Sequence, residues 1–203
     1  MNNTTIFKAV SVDDRVLGYT LLCHPQVPKP LHVVNPRTIW GNAWWNMARE
    51  KAYARANYKC EACGVEKAKA KFHPWLEAHE VYDIDYKNGR ATYKYLVALC
   101  HACHNYIHQG RARMTKSAHD YDMIMSHGDF ILQGKRLPPK PDCSEFAEWE
   151  DWRMVLNGVE YKPKFEDYSE WCRHYGKEDR SGTASESYSI WDAIEDIESD
   201  FYE

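Results

Sequence analysis

The chain has 203 residues, 44% of them hydrophobic and 28% charged, with seven cysteines, eight tryptophans and fourteen tyrosines. That length suits one domain with a real core, or one domain and a smaller appendage. No apolar run approaches the ~18 residues that span a bilayer, and MNNTTIFKAVSVDDR lacks a basic region followed by an apolar stretch, so no secretory signal is expected. A cytoplasmic protein is expected, whose cysteines act as metal ligands or free thiols rather than disulfides. The net charge of −4 is unevenly spread, residues 1–140 carrying +8 and residues 141–203 carrying −12. A basic body with an acidic end is a pattern of nucleic-acid-binding proteins, and also of two plain solvated faces.

Residues 1–36 read as an N-terminal arm, since Val27-Pro28-Lys29-Pro30 and Asn35-Pro36 mark extended or turning chain. Residues 37–136 form the main domain. It opens on a helix over 38–57, where the spacing of Trp40, Trp44, Met47, Ala48 and Ala52 puts Trp44 and Met47 on the buried side. Gly64, directly after Cys60-x-x-Cys63, suits a tight turn around one metal ion. A strand over 75–82 and a return strand over 91–99 flank Asn88-Gly89, a two-residue hairpin signal. Cys100 then opens a helix that passes His104 and His108 and stops near Gly110. A short helix over 115–127 is ended by His127-Gly128-Asp129. Leu137-Pro138-Pro139-Lys140-Pro141 reads as a linker to a small Trp-rich helical appendage over 142–179, with helices at 144–156 and 165–175. Residues 180–203 read as a flexible acidic tail in which 190–201 have amphipathic spacing.

Two CxxC pairs, Cys60/Cys63 and Cys100/Cys103, supply four thiolates, the number that fills a tetrahedral zinc site. With every position taken by protein, such a Zn²⁺ is structural, and it fastens the start of the hairpin to the following helix. Cys23, Cys143 and Cys172 read as ordinary thiols. His104 and His108 are four residues apart and share one helix face, while His79 lies on the first strand. A helix crossing a hairpin in this way makes a pocket for one further divalent cation. His101 is expected to be exposed, and His32, His73, His119, His127 and His174 to be structural or superficial.

The order Cys60-x-x-Cys63, then Leu76-Glu77-Ala78-His79-Glu80-Val81, then Leu96-Val97-Ala98-Leu99-Cys100-His101-Ala102-Cys103-His104-Asn105-Tyr106-Ile107-His108, resembles HNH endonucleases of phages and bacteria. The resemblance is most specific over residues 58–110. It implies an α+β fold: a ββα-metal core with a four-cysteine zinc site, flanked by helices and an acidic C-terminal region. It also implies hydrolysis of phosphodiester bonds, most naturally in DNA, with Mg²⁺ or another divalent cation. In that family a strand histidine is the general base and helix histidines hold the ion, which assigns catalytic roles to His79, His104 and His108. The strand motif departs from the family, because His79 is followed by Glu80. Either His79 is the base, or His79 is a ligand and Glu80 takes the base position. Tyr95 stands where the family carries an asparagine. Arg111 and Arg113, with Arg90 and Lys94, are the candidate phosphate contacts. The alternative is a catalytically impaired HNH-like zinc module that binds nucleic acid or a host protein, with the acidic tail as a nucleic-acid mimic or as a cover for the basic face.

Overall fold

The computed structural model describes residues 18–139 and 146–179. Expectations about residues 1–17, Cys143 and the acidic tail over 180–203 lie outside the described residues. The chain divides into two compact units. The first comprises the described parts of Met1–Gln26, Trp40–Tyr82 and Tyr93–Lys140, and the second those of Val27–Ile39, Asp83–Thr92 and Pro141–Glu203.

Helix α1 (Pro36–Arg55) starts where the sequence provides a stop for extended chain. Asn35 Oδ1 accepts the Thr38 N–H, and Pro36 fills the first turn, where its missing N–H costs nothing. Gly41 interrupts the helix with φ 83° and ψ 172°, a conformation that a side chain disfavours. Beyond it, Trp44, Ala48 and Ala52 are buried at helical spacing and pack with Leu96. Met47, expected to be buried with them, is 43% exposed.

Strands β1 (Glu77–Asp85) and β2 (Arg90–Leu99) form the expected hairpin. The loop is Tyr86 to Gly89 rather than a two-residue turn, and there Gly89 takes φ 65° while Asn88 stays in the ordinary region. β2 continues into a parallel pair with β3 (Arg153–Leu156), and β3 into an antiparallel pair with β4 (Val159–Tyr161). The result is a mixed α+β chain with a four-stranded sheet in the order β1-β2-β3-β4. The helix expected over 144–156 is replaced by a single 3-10 turn (Trp149–Asp151) and β3. Trp152, Met154 and Leu156 alternate inward and are essentially fully buried, which is strand periodicity rather than helical.

Three helices follow the hairpin in the first unit: α2 (His101–Ile107), α3 (Gln109–Thr115) and α4 (Ala118–Leu132). The helix expected to run from Cys100 to Gly110 breaks at His108, whose φ −99° and ψ 45° turn the chain before α3 resumes. α4 packs on α2 and does not end at Gly128 as expected, because that glycine faces Tyr106. In the second unit, α5 (Tyr168–Tyr175) is capped by Asp167 at its start and by left-handed Gly176 at its end. No helix of the described residues is long and apolar enough to cross a membrane.

Candidate metal centre

The four cysteines of the two CxxC pairs come together in the first unit, their sulfurs within 4.8 Å of one another. Cys63 Sγ lies 3.8 Å from Cys100 Sγ, far too long for a disulfide. It matches the edge, about 3.8 Å, of a tetrahedron with metal–sulfur bonds of about 2.3 Å. Local structure sets up each knuckle. Lys59 and Glu66 bridge across the first, Gly64 N–H bonds Cys60 O at 2.8 Å, and Gly64 has φ 77°. Glu61 ties that knuckle to β2: its N–H donates to Ala98 O at 2.8 Å and its carboxylate accepts the Ala98 N–H at 2.7 Å. Arg55 closes the arrangement on Glu61 at 3.1 Å and on Leu96 O at 2.5 Å.

Four sulfurs packed this closely cannot all ionise without a cation among them. Hydrogen bonding from Cys100, then Cys103, holds Cys63 far below the ordinary thiol range, and bonding to Cys100, then Cys60, pushes Cys103 far above it. A divalent cation removes that conflict by taking all four as thiolates. His127 on α4 adds a partner that the sequence did not reveal, its Nε2 lying 3.5 Å from Cys103 Sγ. This group can hold a structural metal ion such as zinc.

The histidines form a second group. Strand alternation puts Glu77, His79 and Val81 on the face of β1 turned toward α2. One ligand nitrogen each from His79, His104 and His108 lies within 4.8 Å of the others. Each helix histidine is anchored through its other nitrogen. His104 Nδ1 bonds Glu77 Oε2, and His108 Nδ1 donates to Gln26 Oε1 at 3.2 Å. Gln26 is itself fixed by donating to Ile107 O. Both Nε2 atoms are thereby left with lone pairs, the arrangement in which a carboxylate or carbonyl behind each ring orients a metal-binding imidazole. His79 is 4% exposed, with Nδ1 3.2 Å from His108 Nε2 and with Nε2 buried and lacking a hydrogen-bond partner. His24 packs edge-on against it at 5.3 Å between ring centroids.

Burial keeps His79 and His108 neutral. Desolvation, and then the neighbouring His108 and His104, hold His79 well below the usual histidine range. Desolvation, then His104 and Arg111, lower His108 to about 3. Neutral imidazoles are the form that binds metals or takes a proton. The residues therefore fit a divalent cation by their donor set and by the anchored second nitrogens of His104 and His108.

Other candidates fall elsewhere. Glu80 points to the opposite face of β1, where its charge, after burial, raises the Tyr82 and Tyr93 hydroxyls, so the structure does not bring it to the histidines as a base. Arg111 is close enough for its charge to depress both His79 and His108. Arg113 is exposed on α3, where its charge reaches Tyr121, and Lys94 is exposed on β2. Arg90 belongs to the second unit, where it bonds Glu160 at 3.0 Å and the carbonyls of Asn88 and Asp151 at 2.9 Å. His101, expected to be exposed, has only 13% of its side chain accessible. Glu77 and Gln26 were not singled out in the sequence. Period-two spacing from His79 points to Glu77, whereas nothing in the irregular stretch around Gln26 marks it. No protein-family model, curated protein or solved structure matches the chain.

Proposed function

We propose that the chain is a metal-dependent HNH-type endonuclease that hydrolyses phosphodiester bonds in DNA, with the β1–β2 hairpin and α2 as its ββα-metal core. The observation that carries this reading is the convergence of His79, His104 and His108, with Glu77 and Gln26 behind the two helix rings. His104 and His108 would hold a divalent ion, which would supply Lewis-acid polarisation of a phosphoryl oxygen. Glu77 and Gln26 keep the Nε2 lone pairs of those rings pointing into the site. His79 is the general base: it is neutral, and its free Nε2 takes the proton of the attacking water. Arg111 offers a positive charge beside the histidines for the flanking phosphate. Glu80 lies on the opposite face of β1, its charge acting on Tyr82 and Tyr93, which supports His79 rather than Glu80 as the base.

Supercoiled plasmid incubated with Mg²⁺, Mn²⁺ or Ni²⁺, and with EDTA as control, tests the reading. Nicking that needs the ion and falls by roughly 10²–10⁴-fold in His79→Ala supports it, the range a general base contributes. No cleavage with any ion, from folded protein with its cysteine site loaded, sinks the enzyme and leaves a nucleic-acid- or protein-binding module.

A further inference from the structure

A separate cluster lies on the other side of Glu77. One ligand atom each of His73, Glu77 and His101 falls within 4.8 Å of the others. Glu77 Oε1 is 2.5 Å from His101 Nδ1 and 3.3 Å from His73 Nε2, and the two nitrogens are 2.9 Å apart. Three polar atoms are thus in mutual contact. A neutral ring nitrogen is either a donor or an acceptor, and an ionised carboxylate only accepts. Two kinds cannot be distributed over three mutually touching atoms so that every contact pairs a donor with an acceptor. One contact always sets like against like. A cation among the three removes the conflict, because all three then offer lone pairs.

The surroundings suit such an ion. The side chains of His73, Glu77 and His101 are 14%, 23% and 13% exposed, sheltered yet reachable. His73 is clamped by Trp75, stacked at 3.5 Å with 4° between the planes. Its Nδ1 is buried without a hydrogen-bond partner.

We propose that His73, Glu77 and His101 form a second ion site, which takes a borderline divalent cation of the Zn²⁺, Co²⁺ or Mn²⁺ class. Two imidazoles and a carboxylate select such ions over Mg²⁺ and leave a coordination position open. Glu77 and the His104 ring stand between this ion and the one assigned to His104 and His108. The two are therefore not a paired centre with ions about 3.5–4 Å apart. Glu77 joins them instead, orienting His104 with one oxygen and binding the second ion with the other.

Lys116 is the ion's rival. Its Nζ lies 2.9 Å from His101 Nε2. Without an ion, Lys116 donates to that nitrogen and His101 donates from Nδ1 to Glu77, which leaves His73 Nε2 facing the carboxylate oxygen as the unmatched pair. With the ion on Nδ1, the His101 proton moves to Nε2, and the ammonium must swing away.

Equilibrium dialysis of the full-length chain against Co²⁺, with zinc kept in the cysteine site, counts the remaining sites. The wild type binds two Co²⁺, His73→Ala and His108→Ala each lose a different one, and the double variant binds neither. Lys116→Met tightens the ion that His73→Ala loses, by about tenfold or more, as expected of removing a like charge a few ångströms away. Retained zinc reports that each variant is folded, and if His73→Ala loses it, Lys116→Met decides alone. Unchanged cobalt uptake in a folded His73→Ala overturns the proposal, as does unchanged affinity in Lys116→Met. A chain that binds cobalt at His73 but never nicks DNA defeats the nuclease and leaves this site standing.

Discussion

His32 shows how one half-buried ring ties folding to pH. Trp171 Nε1–H donates to His32 Nδ1 at 3.1 Å, and the other ring nitrogen bonds Val27 O at 3.1 Å. Both contacts are made by the neutral imidazole. Burial, opposed by the Val27 bond and aided by the Lys29 charge, lowers the ring to about 4. The unfolded chain has an ordinary histidine there, near 6.5, so between those values the unfolded state binds more protons than the folded one. Stability is therefore complete above about pH 6.5 and declines as the pH falls toward 4, by up to about 3 kcal/mol. Urea denaturation followed by indole fluorescence at several pH values measures this, and His32→Phe should flatten the slope over that range.

Gly128 makes the corresponding argument for an element. A glycine inside a 15-residue helix ordinarily costs about 1 kcal/mol relative to alanine. Here a Cβ would sit 2.1 Å from the Tyr106 ring, and Tyr106 is pinned by donating to Asp129 Oδ1 at 2.9 Å. The close passage of α4 over α2 needs the missing side chain, so Gly128→Ala should lower stability by about 1–3 kcal/mol despite its better propensity. A thermal melt decides: a raised midpoint would show that the two helices are not locked at this crossing. The same residue explains a misjudged boundary. Local rules read His127-Gly128-Asp129 as a helix end, and only the neighbouring ring, 22 residues earlier in the chain, shows why glycine is there. Signals that live inside one element were legible: the hairpin strands, the CxxC knuckles and the shared face of His104 and His108. β3 was overlooked although Asn157-Gly158, both at positive φ, is a two-residue hairpin turn that joins it to β4; what no local signal could show is its pairing with β2 from about 60 positions away. The partners of the candidate site divide in the same way, Glu77 being readable from strand alternation and Gln26 arriving from a segment without periodicity.

At the scale of the molecule, the four thiols bring together two segments nearly 40 residues apart in the chain. Cys60 and Cys63 follow α1, and Cys100 and Cys103 open α2, the helix that carries His104 and His108. All four sit in or against the same core cluster as Tyr95, Val97 and Leu99. Structural zinc binds such sites with about 10–16 kcal/mol, as large as the whole stability of about 5–15 kcal/mol of a typical domain. Removing the ion also leaves four crowded sulfurs contending for protons in that core. The first unit should therefore lose its cooperative transition when zinc is stripped at neutral pH, and the histidine group, positioned by α2, should lose its metal affinity with it. Calorimetry of zinc-loaded protein against protein dialysed with a strong chelator, followed by zinc readdition, tests the linkage. A transition that survives with zinc shown to be absent would mean that apolar packing alone holds α2 in place, and that the cysteines serve something other than the fold.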